Sequence, residues 1–263
     1  MKQRSEFNKY TYYTRAVQDT DQAIQFVERA YRSNFQKPIR TLGEDFCGTF
    51  ALSSHWVKKG RGRKAVAIDY SQEPLSYGKN NYLAKLRKEQ KEKITVLQRD
   101  VRDKSLPKVD ALVAFNFSFF ILKERSQMLS YLKNCYRRIG PKGLLVLDCF
   151  GGTSTLEPNE EKTKIRNFTY YWDQKSFDPI SHNANFAIHF KRKGEKKRLN
   201  VFRYDWRMWT LPELKELLTE AGFKKVSFYF EGTTKMGNGN GVFTKKKREE
   251  NCEAWIAYIT ARR

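Results

Sequence analysis

Gly48 sits in the turn Glu44-Asp45-Phe46-Cys47-Gly48-Thr49-Phe50, which closes one short apolar run and opens an amphipathic one. A strand, a tight turn and a helix N-terminus in that order leave free backbone N–H groups pointing at whatever lies above them. Asp69 ends a second apolar run about twenty residues later, and Asp100 ends a third. A carboxylate at that distance beyond a glycine turn suits ribose hydroxyls, because it can accept two hydrogen bonds. Asp100 can accept from an adenine amino group, with apolar Val101 beside the ring.

The elements that must position these residues alternate. A helix capped by Asp19 or Thr20 runs to about residue 33 on an apolar face of Ile24, Val27 and Tyr31. Strands are expected over 39–44, 64–70, 94–97, 109–117 and 144–150, with helices after the first, second and fourth. The helix after the second strand reads as long and basic. The helix from about residue 123 carries Met128, Leu129, Leu132, Cys135, Tyr136 and Ile139 on one face. Such alternation argues for a parallel sheet covered on both faces, whose carboxyl ends carry Gly48, Asp69 and Asp100.

The alternation then breaks. Residues 151–165 are polar, and three β-rich runs over 167–174, 183–190 and 199–209 predict an antiparallel meander inserted after the fifth strand. Thr210 and Glu213 form a capping box for a helix burying Leu214, Leu217, Leu218 and Ala221. Strands over 226–230 and 255–260 close the chain around a loop rich in Gly, Asn and Lys. One domain spanning residues 1–263 is expected, with residues 1–35 as a cap and 151–209 as a lid.

Composition sets the class. Hydrophobic residues make up 40% of the 263 and aromatics 14%, enough for a sizeable core. The opening residues lack the apolar stretch of a signal peptide, and no run is long enough to span a bilayer. Four scattered cysteines and three histidines show no metal-ligand spacing. A cytoplasmic protein with reduced thiols and no metal is expected. The net charge of +22 either attracts nucleic acid or reflects a Lys-rich solvated surface.

The order of elements and the turn together resemble the class I S-adenosylmethionine-dependent methyltransferases over roughly residues 36–150 and 210–262. The usual first motif there is an acid followed by G-x-G-x-G. Glu44 stands at the acid and Gly48 at the middle glycine, while Phe46 and Phe50 replace the other two. The resemblance implies an α/β, Rossmann-like sheet of seven mostly parallel strands with helices on both faces and the last strand antiparallel. It implies S-adenosyl-L-methionine as cofactor. Glu44, Phe46, Cys47, Gly48 and Thr49 would meet its methionine end, unless Asp45 takes the role of Glu44. Asp69 and Tyr70 would hold the ribose, Asp100 and Val101 the adenine, while Asn116 and Phe117 would border the sulfonium and the acceptor.

The N-terminal segment, the 151–209 insertion and residues 231–251 should converge above the cofactor. A nitrogen acceptor must arrive deprotonated, and Asp173, Asp205 and Glu231, with Tyr171 or Tyr12, are the candidates to take its proton. The aromatic lid favours a small-molecule acceptor methylated at nitrogen or oxygen. Two other readings stay open: an RNA or protein methyltransferase using the basic surface, and a noncatalytic nucleic-acid-binding protein on a degenerate version of this fold. No oligomeric state follows from the sequence.

Overall fold

The computed structural model describes residues 6–234 and 239–263. Its main sheet has eight strands in the order β11-β10-β12-β5-β4-β1-β2-β3. β1 (Thr41–Asp45), β2 (Lys64–Asp69), β3 (Ile94–Gln98), β4 (Val109–Ala114) and β5 (Ile139–Gly151) run parallel. β12 (Trp255–Arg262) is inserted antiparallel between β5 and β10 (Lys225–Thr233). The sequence reading gives seven of these strands. The eighth, β11 (Gly239–Lys246), pairs antiparallel with β10 at the sheet edge. Its Gly, Asn and Lys residues bury only Phe243, so no alternation announces it.

Strand parity separates two cores. Leu42, Ala111, Val113, Leu144 and Val146 face α2 (Thr20–Phe35), α3 (Ala51–Lys58) and α4 (Gln72–Asn81). Leu112, Ala114, Leu145 and Leu147 face α6 (Arg125–Arg138) and α7 (Leu211–Glu220). Asp19 caps α2 by accepting from the Gln22 N–H at 2.9 Å, and Thr210 with Glu213 caps α7 reciprocally. The long basic helix expected after β2 instead ends at Asn81, a poor helix former beyond Gly78. A 3-10 turn and the short α5 (Lys88–Lys91) replace its second half.

The insertion is a second, four-stranded antiparallel sheet: β6 (Asn159–Ile165), β7 (Phe168–Phe177), β8 (Asn183–Arg192) and β9 (Arg198–Arg207). β6 lies in the stretch read as merely polar, because both its faces are mostly solvated and it has no apolar period to detect. The N-terminal aromatics form α1 (Lys9–Val17), capped by Asn8, which accepts from the Tyr10 and Thr11 N–H groups. Two of its faces are covered at once. Tyr12 packs on Phe168 and Phe190 of the insertion, while Tyr10 packs on Tyr77 of α4. Aromatic residues therefore surround α1 instead of marking one stripe.

Candidate active site

The turn after β1 keeps a glycine-like backbone without the glycines. Phe46, Gly48 and Phe50 all have positive φ, at 54°, 53° and 48°. A left-handed conformation costs a non-glycine residue about 1–2 kcal/mol, so the two phenylalanines must be held there. The Cys47 N–H donates to the Ile68 carbonyl at 2.9 Å, and the Phe50 N–H to the Cys47 carbonyl at 2.7 Å. The Gly48 N–H donates to Asp69 Oδ2 at 2.7 Å. Phe50 is fully buried, and its ring lies against Gly78 of α4. Above Gly48 the space is open: a Cβ there would meet nothing within 4 Å.

The two acids of the turn part company. Glu44 accepts from the Ser53 N–H and hydroxyl and lines a cavity; burial raises its carboxyl to about 7. Asp45 points into the α6 core, where Arg138 Nη1 approaches both its oxygens at 2.7 and 2.8 Å and Tyr131 donates to it. The choice between the two acids is thus made by strand parity.

Asp69 also accepts from the Ser71 N–H at 2.8 Å, and burial raises its pKa. Asp100 is occupied by Arg102 through Nε at 2.9 Å and Nη2 at 2.6 Å, and that contact lowers its pKa. Val101 is buried in the α6 core, while Tyr70 is 79% exposed. Of the expected cofactor residues, Glu44, Asn116 and Phe117 meet in the cavity; Phe46, Cys47, Gly48, Thr49, Asp69, Tyr70, Asp100 and Val101 lie outside its lining.

This cavity measures about 800 Å³ and opens between the ends of β1, β4 and β5, the insertion sheet, and the start of α2. It sits over the boundary between β1 and β4, where the strand order reverses. At its floor Asp148 of β5 is buried and accepts from the Asn116 and Phe117 N–H groups at 2.7 and 2.9 Å. Both of those residues have positive φ, 58° and 56°, which turns their successive N–H groups onto the one carboxylate. Burial raises Asp148 to about 7. Tyr170, Trp172, Tyr204 and Trp206 form the insertion wall. Tyr13 of α1 closes over them and is hydrogen-bonded to Tyr204.

No protein-family model matches the chain. YqeM of Bacillus subtilis (strain 168), a protein named, though not established, as a methyltransferase, is 24% identical over 214 residues, covering 78% of this chain and 82% of its own. A methyltransferase from Clostridium acetobutylicum, dependent on S-adenosylmethionine, superposes with a TM-score of 0.69 at 17% identity, over 95% of this chain and 96% of that one. CalS10 of Micromonospora echinaspora, an amino pentose methyltransferase solved with S-adenosylmethionine, gives 0.67 at 14% identity over the whole of both chains. KedS8, a sugar N-methyltransferase from Streptoalloteichus, gives 0.63 at 16% identity, over 100% and 96%. The fold is that of the class I methyltransferases.

On this methyltransferase fold, parity also decides the lid candidates. Tyr170, Trp172 and Gln174 of β7 face the cavity, so Tyr171 and Asp173 face away; Tyr204 and Trp206 of β9 face it, so Asp205 faces away. Asp205 pairs with Lys123 at 2.6 Å, and Lys197 Nζ stands 4.0 Å over the Tyr171 ring. Tyr12 is buried against Phe168, again outside the lining. Of the acids expected to take a proton, Glu231 alone reaches the cavity, where it accepts from the Gly241 N–H at 2.6 Å. Lys235, Met236, Gly237 and Asn238, expected to lie with residues 231–251 above the cofactor, are outside the described residues.

Asp173, Glu160 and His189 cluster on the outer face at metal-ligand spacing. His189 Nδ1 accepts from the Asn200 N–H at 2.8 Å, so the neutral ring carries its proton on Nε2 and donates it to Asp173 Oδ2 at 2.9 Å. A metal would need that nitrogen's lone pair, and Lys197 already pairs with Glu160. The cluster is a hydrogen-bonded brace. Sequence reasoning missed Asp148, Glu161, Tyr13 and Gln18, all of which line the cavity. For Asp148 a signal existed: it is a lone acid inside the apolar run 144–150.

Proposed function

We propose that the chain is an S-adenosylmethionine-dependent methyltransferase acting on a small molecule. The observation that carries this reading is the turn after β1, where Phe46, Gly48 and Phe50 hold the alternate left-handed conformations of a G-x-G-x-G loop. Two bulky residues kept in that strained shape argue that the shape itself is needed. When bound, S-adenosylmethionine supplies a methyl group on a sulfonium, ready for in-line displacement. The residues present suit it. Glu44 and the open space over Gly48 would take its methionine end, and Asp69 its ribose hydroxyls. Tyr70 and Asp100, at the ends of β2 and β3, would border the adenine.

The rest of the work is positional. Phe117, Phe150, Trp172 and Trp206 give the cavity apolar walls, and α1 and the insertion would hold the acceptor against the β4–β5 ends. A half-open cavity of this size supports an acceptor on the scale of the sugars that CalS10 and KedS8 methylate. Four unpaired cysteines, three of them buried, support a reducing, cytoplasmic setting. No helix among the described residues is long and apolar enough to cross a membrane.

Calorimetry with S-adenosylmethionine and S-adenosylhomocysteine tests the reading. Micromolar binding of both is expected; no heat at millimolar cofactor would sink it.

A further inference from the structure

The chain carries 51 Lys and Arg, yet the described residues lining the cavity include no Lys, Arg or His. They include seven carboxylates: Asp19, Glu44, Asp148, Glu161, Glu231 and the adjacent Glu249 and Glu250. Glu249 is paired with Lys246 outside the lining; the other six form no ion pair with Lys or Arg among the described residues. A basic protein whose acidic, aromatic cavity has no described base in its lining separates its charge by function. The cavity's potential opposes that of the surface around it.

Beside the carboxylates the lining offers a further unused acceptor. Gln18 lines the cavity, and its Oε1 is buried with no partner. Glu161 stands on β6 opposite Trp172 of β7, with its side chain exposed to the cavity. Around these acceptors the rings of Trp172, Tyr204 and Trp206 lie 4.3–6.1 Å apart, presenting π-faces that attract cations. Carboxylates and π-faces with no cationic side chain among them favour a group that donates hydrogen bonds and carries positive charge.

Building on the methyltransferase reading, we infer that the acceptor is a small cationic amine, methylated at nitrogen, and that polyanions such as RNA are excluded despite the net charge. The amine enters as its ammonium, held by Glu161 and the aromatic wall. It loses one proton to the Asp148 carboxylate at the floor. Its freed lone pair forms the new N–CH3 bond while the methyl–sulfur bond breaks and its electron pair stays on sulfur. The product leaves as the N-methylated ammonium, with S-adenosylhomocysteine, and Asp148 returns its proton to solvent. The basic exterior then serves solubility or other contacts, not the acceptor.

The test uses S-adenosylmethionine labelled in the methyl group, incubated with the full chain and a small-molecule extract of the source cells, and in parallel with total RNA of those cells. Products are separated by cation exchange and the methylated atom is found by mass spectrometry. Label is expected in cationic small molecules as N–CH3. Glu161→Gln should raise KM for the labelled amine roughly tenfold, the loss of one charged hydrogen bond, while S-adenosylhomocysteine affinity by calorimetry stays unchanged. Asp148→Asn should lower kcat and abolish its rise with pH. Label in RNA, in neutral or anionic products, or in no fraction overturns the amine inference. Retained S-adenosylhomocysteine binding would then leave the cofactor reading standing; loss of that binding in the wild-type chain would remove both.

Discussion

Gly78 lies so close to Phe50 that a Cβ added to it would sit 2.4 Å from the ring and 2.2 Å from the Thr49 carbonyl oxygen. The glycine lost from the turn at position 50 is matched by one on the facing helix. Backbone contact that a turn glycine would permit from one side is permitted from the other, and the Phe50 ring fills the space between. Strain at Phe50 costs about 1–2 kcal/mol, whereas a fully buried phenylalanine contributes about 3–5 kcal/mol. Burial wins.

That balance predicts unequal outcomes at the two phenylalanines. Phe50→Gly restores a residue suited to φ 48° but should still destabilise the chain by about 2–4 kcal/mol. Phe46 is only partly buried, against Tyr131 at 5.5 Å. Phe46→Gly should therefore stay within about 1 kcal/mol of the parent. Urea denaturation of both variants measures the difference, and equal losses would refute the argument.

Asp45 and Arg138 have side chains that are 0% and 1% exposed. Asp45→Asn leaves the guanidinium buried without its counter-charge and should cost about 3–5 kcal/mol. Because the pair lies in the α6 core and not in the cavity, S-adenosylhomocysteine affinity of the folded fraction should be unchanged. A selective loss of affinity with stability intact would show that Asp45, not Glu44, serves the turn.

Asp173 and Asp205 should prove spectators in turnover. Asp173→Asn removes the charge that holds buried His189, so stability should fall by about 1–3 kcal/mol. Asp205→Asn breaks an exposed pair with Lys123 and should move stability by less than about 0.5 kcal/mol. Denaturation and methyl-transfer rates on the same samples separate the two effects. A large rate loss in either variant would contradict their placement.

These two acids mark where the sequence stopped being legible. The order of strands, the capping of α2 and α7, and the acids at strand ends could be read because each leaves a local pattern. Trp172 and Asp173 are neighbours in sequence, and which one faces the cavity depends on the register of β7 against β6 and β8. That register is set by the packing of Phe168 and Phe190 on Tyr12 of α1, far away in sequence, so composition alone leaves the face undetermined. β6 and β11 were invisible for a related reason: strands solvated on both faces carry no apolar alternation.

Asp148 should make stability depend on pH. In the unfolded chain it ionises near the ordinary value of 3.8, while burial moves it to about 7 in the folded chain. Between those values the unfolded state releases a proton that the folded state keeps. Stability is therefore highest below about pH 4 for this group and falls as pH rises to about 7, by on the order of 3–4 kcal/mol. Glu44 titrates in the same direction. Asp148→Asn should be less stable than the parent at pH 5, because one N–H of the 116–117 turn loses its acceptor. The gap should narrow at pH 8. A gap independent of pH would show that Asp148 ionises normally in the folded chain.

Gly48 separates the needs of the fold from those of the ligand. Its φ of 53° makes any L-residue there unfavourable by about 1–2 kcal/mol. A Cβ would nonetheless collide with nothing, since apart from its chain neighbours no described residue comes within 4 Å of that position. Gly48→Ala should thus fold with a modest loss of stability. The methyl group would project into the open space that the proposed cofactor needs, beside the N–H donated to Asp69. S-adenosylhomocysteine affinity should then fall by more than tenfold, out of proportion to the change in stability. Calorimetry and thermal melting of one preparation supply both numbers. If affinity survives while stability drops, the turn is structural and the ligand binds elsewhere.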